Sequence, residues 1–186
     1  MADLPRDYQW IDAIEDKPRL ISEALALYGV TEAPGARDNP VIMAWAHEIG
    51  GDVAATYLHD ATPWCGLFMA VIANRAGKPV PTNPLWALNW KNFGQSAGQA
   101  SFGDVLVFTR QGGGHVGLYI GEDNGDTDRR PAYHVLGGNT ADAVSIRPIL
   151  KSRLYAARRP IWQTAQPKSV KPIVFGAAGA LSTNER

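Results

Sequence analysis

The sequence predicts an α+β domain: N-terminal helices packed on a small antiparallel five-stranded sheet, curled as a half-barrel. Three observations lead there. Before residue 77, apolar residues recur at helical spacing in three stretches, each closed by glycine. From Gly103 onward the pattern changes to five short apolar runs, too closely spaced for parallel βαβ units. Between the two halves lies a segment, 78–102, in which Trp86, Trp90 and Phe93 are separated by polar residues.

In order, residues 1–18 read as an irregular N-terminal arm, punctuated by Pro5 and Pro18, with Trp10 and Ile11 as anchors. A short helix over 20–29 stops at Gly29. Asn39-Pro40 then opens a second helix that runs to Ile49 and ends at Gly50-Gly51. The third helix, about 63–76, has Thr62 as its N-cap and Pro63 at its first position, and Gly77 stops it. A short helix is expected near 85–93. The strands are expected at 104–108, 115–121, 133–139, 143–147 and 153–157, with a charged loop at 122–131. Residues 19–162 thus form the domain. The tail, 163–186, starts polar with two prolines and continues into a glycine-rich apolar stretch, 173–181, far too short to span a bilayer.

Composition narrows the function. In 186 residues, 45% hydrophobic content with six Trp, six Tyr and five Phe is that of a globular protein with an ample core. Lys+Arg and Asp+Glu both number 18, which gives no argument for a nucleic-acid partner. The single cysteine excludes an internal disulfide framework and a Cys-rich zinc site, and nothing in the sequence calls for a metal or other cofactor. The N-terminus has no basic flank or apolar run, and no segment reaches the ~20 apolar residues of a membrane span. The expectation is a chain made soluble in the cytoplasm, which something else must deliver if it works outside.

The lone cysteine, Cys65, lies in the first turn of the third predicted helix, among unpaired N–H groups at the positive end of the helix dipole. That setting favours thiolate over thiol. Taken alone, a single cysteine is more often a buried apolar residue. A nucleophile also needs a base and a group to orient that base. His47 reads as a solvated helical residue beside Glu48, His59 as structural, and His134 as a mid-strand residue facing core, solvent or site. His115 differs, because it opens a strand directly after Gly112-Gly113-Gly114, where no Cβ crowds the approach. Asn139 closes the following strand after Gly137-Gly138, and its carboxamide could accept from the imidazole and fix the tautomer. Asparagine there is also ordinary turn chemistry.

The order Pro63-Trp64-Cys65, then Gly103-Asp104-Val105-Leu106-Val107-Phe108, then Gly114-His115-Val116-Gly117-Leu118-Tyr119-Ile120-Gly121, then Val135-Leu136-Gly137-Gly138-Asn139 resembles the NlpC/P60 and CHAP superfamily of papain-like cysteine peptidases and amidases. More narrowly it resembles small phage- and prophage-type members, and the likeness extends upstream through 29–35 and Asn39-Pro40, covering about 25–160. The resemblance implies a papain-like fold with Cys65 as nucleophile, His115 as general base and acid, and Asn139 as the orienting group. CHAP members often carry Glu two residues before such an Asn; here that position is Gly137. The implied substrate is peptidoglycan, cut within the stem peptide or between N-acetylmuramic acid and L-alanine, with no metal. Trp64 and Trp86 are candidate walls for a peptide or sugar, or core residues. The implied setting is the bacterial cell wall, reached through lysis, a phage tail or a secretion device. Three classes remain open: peptidoglycan hydrolase (endolysin, tail lysin or secreted effector), non-catalytic tail or wall-binding protein, and cysteine acyltransferase or thioesterase.

Overall fold

The computed structural model describes residues 2–35 and 37–175. Four α-helices precede six strands: α1 Arg19–Ala26, α2 Pro40–Ile49, α3 Gly51–Thr56, α4 Cys65–Arg75, then β1 Gln95–Ser96, β2 Val105–Arg110, β3 Gly113–Asp123, β4 Ala132–Gly137, β5 Ser145–Leu150 and β6 Leu154–Arg159. All pairings are antiparallel in the order β1-β6-β2-β3-β4-β5, and the sheet is open. It has six strands where five are expected. The extra one, β1, is two residues long and carries no alternation to read.

The helices form for visible reasons. Asn39 caps α2 by accepting from the Val41 N–H at 2.8 Å, with Pro40 in the first turn where its missing donor is harmless. The Gly50-Gly51 pair does not end the helical region as expected. Both residues adopt positive φ, 71° and 52°, and redirect the chain into α3. In α4 every residue from Cys65 to Ala73 is buried, so this helix is apolar all round and forms the centre of the molecule. It starts at Cys65 with Trp64 as its cap, two residues beyond the expected start, and the first helical carbonyl is that of Trp64, accepting from Phe68 N at 2.9 Å.

Strand parity divides the core. Val105, Val107, Val116, Leu118, Ile120 and Leu136 join the main cluster with α4. Leu106, Phe108, Tyr119, Val135 and Ile149 form a second cluster on the opposite face. Asp104, fully buried, ties the start of β2 to the end of β6 through a two-pronged pair with Arg159 at 2.9 and 2.7 Å. Burial holds the Asp104 carboxyl above its ordinary pKa despite that guanidinium.

Neither flanking segment stands apart. Leu4 and Ile11 belong to the main core, and Arg6–Ile11 is a 3-10 helix rather than an irregular arm. The Tyr8 hydroxyl donates to His134 Nδ1 at 2.6 Å, leaving Nε2–H for Asp123 at 3.1 Å, so His134 fastens the arm to the sheet. Near the other end, Val174 forms a parallel bridge with Glu122, and the Phe175 ring packs against His134 at a 60° tilt with centroids 4.5 Å apart. The rest of the apolar stretch, 176–181, lies outside the described residues. No helix among the described residues is long and apolar enough to cross a membrane.

Candidate active site

Cys65 is the first residue of α4 and only 4% exposed. Burial pushes its thiol up. The backbone N–H groups of Val116, Gly66 and Cys65, and the charge of Arg110, pull the other way without overcoming it. The helix terminus thus acts on the sulfur with the expected sign, but dehydration outweighs it. Gly66 lets the loop before the short 3-10 helix Ala87–Asn92 close over this turn. A Cβ there would stand 2.3 Å from the Pro84 carbonyl oxygen and 2.7 Å from that of Leu85.

His115 lies on β3 opposite Phe108 of β2, on the face away from α4, one residue before Val116, whose amide draws the Cys65 thiol's pKa down. Burial, with Arg110 and Arg153 nearby, pushes its imidazole down to about 4. Its hydrogen-bonding neighbour is the Thr140 hydroxyl, 3.5 Å from Nε2. Among the described residues no hydrogen bond joins Cys65 to His115. The described state therefore holds a neutral thiol and a neutral ring apart, and proton transfer between them requires the ring to leave the face opposite α4.

Asn139 sits in the left-handed region at φ 53° and donates through Nδ2 to Glu32 Oε1 at 3.2 Å. The same oxygen accepts from the Trp64 indole at 2.7 Å. Glu32 thus joins the residue before the cysteine to the loop after β4. Two neighbouring features hold it there: the backbone of 29–32 pairs with 142–144, and buried Asp60 accepts from Ala33 N at 3.0 Å and Asn39 N at 2.8 Å. Asn139 does not bond the His115 ring; the expected acceptor for that nitrogen is replaced by the hydroxyl of the next residue. Neither Glu32 nor Thr140 stood out in the sequence, although Glu32 lies within the 29–35 stretch that carries the resemblance.

Trp64 is fully enclosed, its ring 5.9 Å from that of Trp45, so it packs the core and cannot wall a cleft. Trp86, half exposed, stands on the loop whose Pro84 and Leu85 carbonyls face Gly66. Val80, Pro81, Pro84 and Leu85 of that loop also line a groove of about 610 Å³ with Ile49 and Val53. Among the described residues no group of three or more His, Cys, Asp or Glu side chains could hold a metal.

No family model matches the chain, and no curated protein matches it. Among solved structures it is similar to the crystal structure of the P60 domain from an M. avium paratuberculosis antigen. That similarity is 20% sequence identity over 84% of this chain and 96% of that one, with a TM-score of 0.37.

Proposed function

We propose that the protein is a cysteine hydrolase of peptidoglycan amide bonds, with Cys65 as nucleophile and His115 as general base and acid. The observation that carries this reading is the seat of the sulfur. Cys65 opens a buried helix, where the amides of Val116, Gly66 and Cys65 itself draw its thiol's pKa down against burial, and Val116 follows His115. The motif order in the sequence supports it. In the reaction, His115 takes the thiol proton as sulfur attacks the carbonyl carbon, which requires the start of β3 to turn the ring from the face opposite α4 toward Cys65. The ring then delivers that proton to the departing amine, leaving a thioester. Water, deprotonated by the same ring, hydrolyses the thioester and restores the thiol. Amides at the helix start hold the oxyanion. Trp86 and the groove beside Leu85 receive the substrate. Release at the wall falls to lysis, a phage tail or a secretion device.

The test is digestion of purified sacculi by wild type and Cys65→Ala, with products read by mass spectrometry. Wild type is expected to release soluble products and the variant none. Stem peptides free of muramyl sugar mean amidase; cut stems still on sugar mean endopeptidase. A second reading, a non-catalytic wall or tail component, is favoured by the placement of the two groups: His115 lies on the sheet face opposite α4, and among the described residues no hydrogen bond joins its ring to the thiol. No products from either protein would select it.

A further inference from the structure

We propose that Thr140, the residue after the expected Asn139, positions His115 for the reaction; this rests on the hydrolase reading above. Three features converge on the tip of the ring. Thr140 Oγ1 lies 3.5 Å from His115 Nε2. Gly137 keeps that space open: a Cβ there would stand 3.0 Å from Nε2 and 3.4 Å from the Thr140 hydroxyl oxygen. The backbone around Thr140 is fixed, since its N–H donates to the Ala143 carbonyl at 3.0 Å and its carbonyl accepts from Ser145 Oγ at 2.9 Å. The residues on either side of it, Asn139 and Ala141, and then Asp142, all hold positive φ near 55° (53°, 53° and 56°), a costly conformation for side-chain-bearing residues. That turn is what presents the Thr140 hydroxyl rather than the Asn139 carboxamide to the ring, while the Asn139 amide nitrogen is engaged by Glu32.

A hydroxyl accepts as readily as it donates. Accepting from Nε2–H, it fixes the tautomer that leaves Nδ1 with a lone pair for the thiol proton. Being uncharged, it orients the ring without drawing a proton onto it, in keeping with a ring that burial and two arginines hold neutral. Thr140 touches the base and not the substrate, so it is a positioning residue.

The experiment is long-range ¹H–¹⁵N correlation of the imidazoles at neutral pH in wild type, Thr140→Val, Thr140→Ser and Asn139→Ala, alongside sacculus digestion. Wild type and Thr140→Ser are expected to carry the His115 proton on Nε2, and Thr140→Val to show a tautomer mixture. Thr140→Val should lose roughly tenfold in kcat with little change in KM, and Thr140→Ser should recover most of it. Asn139→Ala should leave the tautomer unchanged. A wild-type proton on Nδ1, or a tautomer unmoved in Thr140→Val, overturns the proposal, and the wild-type spectrum alone decides it if the valine variant does not fold. Digestion by Cys65→Ala at the wild-type rate would sink the hydrolase reading instead, and the tautomer result would stand apart from it.

Discussion

The two sides of strand β3 at the site are built differently. On the α4 side everything is close-packed: Cys65 in the first turn, Gly66 under the Pro84 and Leu85 carbonyls, Gly138 where a Cβ would lie 2.6 Å from Phe68 Cβ. On the His115 side the ring is only partly buried, its hydrogen-bonding neighbour among the described residues is 3.5 Å away, and that neighbour sits in a turn with three non-glycine residues at positive φ. The nucleophile's seat is thus fixed by backbone contacts, and the base is held by a strained loop and a single hydroxyl. In a site divided this way, movement on substrate binding falls to the histidine half.

The largest expected effect tests the close-packed half. Gly66→Ala puts a methyl against two backbone carbonyls that belong to the substrate-side loop, so neither can yield as a flexible side chain would. Overpacking of this kind costs about 3 kcal/mol or more. Gly113→Ala is the matching control at the start of β3, with open space around the new methyl, and should stay within about 0.5 kcal/mol of wild type. Urea midpoints of both variants measure the contrast, and equal loss in the two would erase it.

The link between the halves comes next. Glu32→Ala strands the fully buried Trp64 indole N–H and frees Asn139, at about 2 kcal/mol. Both donors converge on one oxygen, so Glu32→Gln retains an acceptor and should lose less than about 1 kcal/mol. Chemical denaturation of the pair checks this. If glutamine is as damaging as alanine, the carboxylate charge and not the shared acceptor holds the link.

How much of this was legible in the sequence follows the same division. The α4 side was written locally. Glycine stops, the Asn39-Pro40 cap and an unbroken apolar run placed the helices, and the position of Cys65 at a helix start emerged although the start itself is two residues later. α3 is not legible because a Gly-Gly pair ends a helix and begins another with equal ease when both φ values are positive. The net effect on the thiol is not legible for a physical reason: the dipole at a helix start shows in sequence, and the dehydration that outweighs it does not. The His115 side depends on contacts between distant segments. Glu32 meets Asn139 across 107 residues. Whether Asn139 or Thr140 reaches the ring turns on one residue of register, which at a strand end reverses the face a side chain takes.

The smallest expected effect probes the histidine half without altering its packing partners. The His115 imidazole is pushed to about 4 in the fold, against an ordinary value of 6.5. As pH falls through 6.5, the unfolded chain binds a proton at this ring and the folded chain does not. Stability is therefore lost between about pH 6.5 and 4, and the loss levels off below that window. Because the ring is partly exposed, about 1 kcal/mol is the expected size rather than the full shift. His115→Gln lacks the titration, so the difference between its urea midpoint and that of wild type, taken from pH 7 to 4, isolates the ring from the carboxylates that titrate in both. A difference that shrinks on acidification places His115 as described, half-buried and unprotonated. One that stays flat means the ring titrates as it does in water, and one that grows means it gains an anionic partner in the fold; either overturns the described placement.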